Sequence, residues 1–252
     1  DLFGNTVRVL CVKGSGWDLG TIEATGLPAI KLDSLLELRQ LDVLSDEDMV
    51  NIQRANLMDQ ASPNPSVETL LHAFLPHHVV DHTHATPFLA LANLPEPEMI
   101  MREIFGDKLA IVPYVMPGFA LAKLAAEIAE QHPEAEGLLL LQHGHFTWGK
   151  NAKQSYDRVI DHTNRVEAWF ADRRDEVQYS GIAITEAEEQ NFIHDLKKAL
   201  IEVSANTSPS FVLDWINDPS ITAQIDQHIS NGVLGRGVAT PDHVIRIKAK
   251  PL

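Results

Sequence analysis

The 252 residues, 44% of them hydrophobic and carrying a formal net charge of −15, suffice for one sizeable core with an appended smaller unit, while the acidic balance and the lack of any basic run argue against a nucleic-acid partner. No apolar stretch approaches the roughly 20 residues of a membrane helix, and the N-terminus lacks the basic-then-apolar signal pattern, so no membrane partner and a cytoplasmic location are expected. The single cysteine, Cys11, forms no internal disulfide and is expected to be a small buried hydrophobe.

In chain order, residues 7–12 suit a buried strand that runs into the turn Lys13-Gly14-Ser15-Gly16. Apolar residues recur at helical spacing from Leu32 to Leu57, interrupted where Ser45 and the acidic Asp46-Glu47-Asp48 announce a second helix. Asn64-Pro65 pairs a favoured N-cap with proline at the first helical position, which predicts a helix over 66–75 whose opening turn carries Ser66 and Glu68. Pro76 stops it, residues 78–84 read as a short strand, and Thr86-Pro87 opens the next helix by the same device. Further strands are predicted at 109–115 and 137–141, the latter leading to Gln142-His143-Gly144, with an amphipathic helix over 119–130 between them.

Over 151–173, Tyr156, Val159, Ile160, Thr163, Val166 and Phe170 fall on one face of a long amphipathic helix. The main domain is expected to close there, giving 1–174 and an extension over 175–252. That extension should open with a polar linker at 175–181, continue as a helix from the capping-box spacing of Thr185 and Glu188 to about Val203, and end in a glycine-rich, then extended, tail over 232–252. The run Gly232 to Gly237 lacks the strand–loop–helix context of a nucleotide loop.

Side chains two apart on a strand share a face, so His82 and His84 can aim both imidazoles at one point. His143 offers a third ligand, and Gly144 beside it would leave room for a coordination sphere. His145 shares the parity of His143, and periodicity does not choose between them. Glu68 at a helix start is either a helix-stabilising charge or a working carboxylate; Ser66 at the same helix start and Gly14-Ser15-Gly16 would both suit a phosphate. Asp81 is a candidate to orient a ligand imidazole, whereas His72, His77 and His78 read as surface or packing residues.

Val79-Val80-Asp81-His82-Thr83-His84 and Leu141-Gln142-His143-Gly144 resemble the two metal segments of the class II aldolase/adducin family, with Glu68 correctly upstream. The resemblance spans about residues 7–173. It implies an α/β fold with a central, mainly antiparallel sheet flanked by helices, here followed by a C-terminal helical extension. It further implies Zn2+ or another divalent metal on His82, His84, His143 and Glu68, with Glu68 also shuttling a proton, and substrate phosphate at Ser15, Gly16 and Ser66. Tyr114 resembles the family tyrosine that enters a neighbouring subunit's site as acid/base; on sequence grounds it is equally a packing aromatic. A homotetramer is implied.

Gly14-Ser15-Gly16-Trp17-Asp18-Leu19 and residues 239–246 are most similar to the aldolase portion of bifunctional rhamnulose-1-phosphate aldolase/short-chain dehydrogenase proteins. The expected reaction is cleavage of a ketose 1-phosphate to dihydroxyacetone phosphate and an aldehyde through a zinc-stabilised enediolate. A 4-epimerase, a decarboxylase or a non-catalytic adducin-like module are the alternatives. The same resemblance leads to the expectation of a phosphate loop upstream of Asp1 and of a fused dehydrogenase domain outside this chain.

Overall fold

The computed structural model describes residues 3–173 and 185–203, together with Ile221, Ile225, Gly237, Val238, Thr240 and His243. The chain divides into two compact units, Asp1–Arg173 with Ala239–Asp242, and Arg174–Val238 with His243–Leu252. The first begins with a two-stranded antiparallel ribbon, β1 (Val9–Cys11) on β2 (Ala29–Lys31), followed by α1 (Leu32–Glu37), α2 (Asp46–Ala55) and α3 (Thr69–Phe74). Ser45 caps α2 as its sequence predicts, its hydroxyl accepting from the Asp48 amide at 3.1 Å.

Next come β3 (Val79–Thr83), α4 (Thr86–Ala92), α5 (Pro97–Phe105), β4 (Leu109–Val112), α6 (Phe119–Gln131), β5 (Gly137–Leu140), β6 (Gly144–Gly149) and α7 (Ala152–Ala171). The four strands form one sheet in the order β3-β6-β5-β4. Its two pairings through β6 are antiparallel and only β4 with β5 is parallel, so the mainly antiparallel sheet flanked by helices is present as expected.

All four residues of β5 are buried, and their side chains alternate between two cores. Leu138 and Leu140 join Leu70, Phe74, Leu121 and Phe146 on the α3/α6 side, while Leu139 joins Phe88, Met101, Phe105 and Val166 on the α4/α5/α7 side. A strand buried on both faces explains why 137–141 reads as an unbroken apolar run.

Several expectations are corrected. Val9 is 42% exposed and Cys11 is exposed, because among the described residues β1 pairs with β2 alone and its outer side is left uncovered. The helix predicted from Ser66 starts at Thr69, since Pro65 is held in a β-bridge with Gly14 and the Ser66 carbonyl is taken by the Thr69 amide and hydroxyl. α4 is capped at Ala85 with no side-chain bond, so Thr86 lies inside the helix rather than capping it. On α7, Tyr156 and Ile160 are exposed and the buried face is Ser155, His162 and Val166, because that face packs on β6 and accepts polar groups. Sequence reading misses β2, α5 and β6 altogether.

In the second unit, α8 (Glu186–Val203) starts with the predicted capping box: the Thr185 amide donates to Glu188 Oε2 at 2.8 Å and the Glu188 amide donates to Thr185 Oγ1 at 3.3 Å. The linker predicted at 175–181 and most of the tail predicted at 232–252 lie outside the described residues. Among the described residues no helix is long and apolar enough to cross a membrane.

Candidate metal centre

β3 enters the sheet beside β6 with His82 opposite Phe146 and Thr83 opposite His145. The His82 ring stacks on Phe146 at a centroid distance of 4.0 Å, and His84 follows one residue past the strand end. β5 returns into β6 through the three residues Leu141, Gln142 and His143, with Gln142 at φ 56°. A non-glycine residue in that left-handed region costs roughly 1–2 kcal/mol, and the turn that imposes it places His143 at the hairpin tip with 3% exposure.

Glu68 sits at the N-cap of α3, but its side chain makes no cap hydrogen bond. Its carboxylate serves the histidines instead: Oε1 lies 2.7 Å from His143 Nε2 and 3.3 Å from His82 Nε2. His82 Nε2 is 3.0 Å from His84 Nε2. One ligand atom from each of Glu68, His82, His84 and His143 falls within 4.8 Å of the others, and the sequence-predicted set is thus assembled from three separate segments.

The donor chemistry fits a divalent metal. His82 Nδ1–H donates to the His145 backbone carbonyl at 3.0 Å, which leaves the Nε2 lone pair bare and aimed at His84 and Glu68. Three of the six separations between ligand atoms are 2.7–3.3 Å, near the edge of about 3.3 Å in a tetrahedron built on zinc–nitrogen bonds, and all lie within 4.8 Å. A Cβ on Gly144 would stand 2.8 Å from His82 Cε1, His84 Cδ2 and the Thr83 carbonyl oxygen, so only glycine lets both imidazoles close in. Without a metal, burial alone would raise the Glu68 carboxyl pKa, yet the charge of a doubly protonated His82 and hydrogen bonds from His143 and His82 hold it well below the usual carboxylate range; a bound cation would take the place of that His82 Nε2 proton.

His145 does not compete for this centre. The hairpin turn breaks the parity, and its ring faces the other core, stacked on Phe88 at 3.9 Å and bonded to His162 Nδ1 at 3.1 Å. Asp81 makes no hydrogen bond to either imidazole among the described residues, since adjacent strand residues point to opposite faces; the His145 carbonyl orients His82 in its place. His78 is exposed and His77 stacks on Trp148 at 4.4 Å. His72, one turn after Glu68 on α3, packs 5.6 Å from Phe146; burial, then the charge on His82, lowers its pKa to about 4.

Ser15, Gly16 and Ser66 are brought together. The Ser15 amide donates to the Asn64 carbonyl at 2.8 Å and the Ser66 amide to the Lys13 carbonyl at 3.1 Å, while Ser66 Oγ accepts from the Glu68 amide at 3.2 Å. Tyr114 stands apart, 51% exposed, with its hydroxyl on Met116 Sδ at 3.9 Å. The His145 carbonyl and the Phe146 platform are the functional features sequence reading missed. The alternation Gly144-His145-Phe146-Thr147-Trp148 was their available signal.

Residues 4–170 match the Class II Aldolase and Adducin N-terminal domain. The chain belongs to the class II aldolase and adducin family. A class II aldolase domain of known structure, the N-terminal domain of a conserved protein from Thermoplasma acidophilum, is similar at 37% identity and a TM-score of 0.62, covering 65% of this chain and 76% of that one. The uncharacterized oxidoreductase YuxG of Bacillus subtilis (strain 168) is 31% identical over 256 residues, 100% of this chain but 37% of the relative; the chain thus spans little more than a third of that protein's length. Methylthioribulose-1-phosphate dehydratase of Pseudomonas syringae pv. tomato is 25% identical over 177 residues, covering 62% of this chain and 83% of that enzyme.

Proposed function

We propose that this class II aldolase-family chain cleaves a ketose 1-phosphate, L-rhamnulose 1-phosphate or a close relative, to dihydroxyacetone phosphate and an aldehyde, as a cytoplasmic homotetramer. The observation that carries the reading is the convergence of His82, His84 and His143 with the Glu68 carboxylate inside one 4.8 Å cluster. These four would hold zinc, which when bound supplies a Lewis acid for the negative charge that develops on the ketose carbonyl oxygen. Ser15, Gly16 and Ser66 bind the phosphate, and so orient the sugar chain toward Glu68, two residues beyond Ser66.

Tyr114 of a neighbouring subunit takes the proton of the C4 hydroxyl. As the C3–C4 bond breaks, its electron pair passes to C3 and the carbonyl oxygen; Glu68, which must carry a proton in the substrate complex, gives it to C3 and regains one from solvent, to which Tyr114 releases the C4 proton. The reading is supported by the half-exposed tyrosine, whose hydroxyl among the described residues meets Met116, and, for the metal-holding role of Glu68, by a carboxylate held ionised beside two imidazoles.

Dehydration is the second reading, favoured by the similarity to methylthioribulose-1-phosphate dehydratase; there Glu68 would instead remove the proton beside the carbonyl, and water would leave. Incubating the zinc-loaded protein with a panel of ketose 1-phosphates separates the two. Release of dihydroxyacetone phosphate with a free aldehyde supports the aldolase, and a dehydrated product with no aldehyde replaces it by the dehydratase.

A further inference from the structure

We propose that Trp17 is a positioning residue for the substrate's phosphate end, its indole seated on two glycines so that Ser15 and Gly16 are presented beside Ser66. The inference rests on the phosphate assignment of the preceding section. Ser15 and Gly16 are exposed at the tip of a turn, and Gly16 has φ 83° with nothing within 4 Å of where a Cβ would be. Such a tip keeps a fixed shape only if its base is held.

Gly14 is the base. It is buried, and its amide donates to the Gly26 carbonyl at 2.8 Å while its carbonyl accepts from the Trp17 amide at 3.4 Å. A Cβ on Gly14 would stand 3.1 Å from Trp17 Cδ1, and one on Gly26 would stand 2.8 Å from Trp17 Cδ2 and 2.9 Å from Ile22 Cγ1. The indole therefore lies against both glycines and clips the turn to the 3-10 turn Ala24–Gly26. From the other side, the Ser15 amide and Lys13 carbonyl tie the same turn to Asn64 and Ser66. A side chain on Gly26 would displace the ring, and one on Gly14 would crowd it.

The test uses the zinc-loaded protein with two variants, Trp17→Ala, which removes the clip, and Gly26→Ala, which pushes the ring away while keeping it. In both, KM for the ketose 1-phosphate and the inhibition constant of inorganic phosphate should rise about tenfold together, with kcat within about twofold and zinc content unchanged. Adding Trp17→Phe to Gly26→Ala, which shortens the ring, should recover much of the loss. A purely structural role would lower stability without this split between KM and kcat. Unchanged KM and phosphate inhibition in either folded, zinc-loaded variant overturns the proposal, as does a fall confined to kcat. A wild-type protein that neither prefers phosphorylated ketoses nor is inhibited by phosphate sinks the phosphate assignment itself, and the clip with it.

Discussion

The metal cluster and the Gly14–Gly16 turn stand two residues of chain apart at Ser66 and Glu68, yet they are built in opposite ways. The cluster is largely shielded from solvent, made of side chains, and carried mainly by a four-stranded sheet, where a backbone carbonyl and an aromatic stack give the His82 imidazole one orientation. The turn is exposed, uses backbone and a hydroxyl, and hangs from a ribbon of two three-residue strands. In the proposed reaction the charge-bearing part is thereby pre-organised, while recognition of a phosphate would fall to a segment that needs its own anchor.

The largest expected effect comes from filling the one gap the cluster depends on. Gly144→Ala drives a methyl into His82, His84 and the Thr83 carbonyl, and zinc affinity measured by competition with a chelator should fall about 100-fold or more. Wild-type affinity in that variant would mean that the two imidazoles need not approach. His82→Ala should likewise lose most of its zinc by elemental analysis.

Glu68→Gln divides the two roles of the carboxylate. Three histidines still hold the metal, so zinc content should persist while kcat falls by about 10²–10⁴; near-normal turnover would remove Glu68 from proton transfer. Tyr114→Phe should change stability by less than about 0.5 kcal/mol because the side chain is half exposed, and should still lower kcat. Mixed oligomers of Tyr114→Phe and Glu68→Gln subunits should regain part of the activity, since some sites then combine an intact tyrosine with an intact carboxylate from different chains.

Acid sensitivity should be smaller and belongs to the buried face of α7, packed on the sheet, rather than to the turn. Burial, opposed by the nearby Glu136 and Asp161 charges, lowers the His162 pKa to about 4 from an ordinary 6.5. The unfolded chain therefore binds the proton first, and stability is lost as pH falls from 6.5 toward 4, by up to about 3 kcal/mol from this group. Urea melts across that range should show a shallower dependence in His162→Gln. The least effect is expected at Cys11, which is exposed on the ribbon: thiol labelling should be rapid and leave bound zinc in place.

Local geometry made part of the candidate set legible in the sequence, since His82 and His84 lie two apart at a strand end and His143 ends an apolar run; the choice of His143 over His145, and Glu68 as a ligand, came from the family resemblance. Sequence reading mistook the start of α3, because Asn64-Pro65 carries the local signature of a helix cap and only the distant Gly14 turns it into an extended bridge. His145 misled for a related reason, since strand parity holds only while a strand continues, and the hairpin interrupts it. β6 went unseen although its backbone completes the centre; no residue type announces that a carbonyl, rather than a side chain, will orient an imidazole.

That carbonyl has a consequence for how the site can change over time. No substitution at position 145 deletes a main-chain oxygen, so the polarity of the His82 ring is inherited from the alignment of two strands and not from any single codon. A slip of one place between β3 and β6 would turn His82 to the wrong face and abolish the centre at once, whereas replacements around the rim leave it whole. The candidate cation seat is therefore durable, and under the proposed function selectivity for one substrate over another would be free to drift around it.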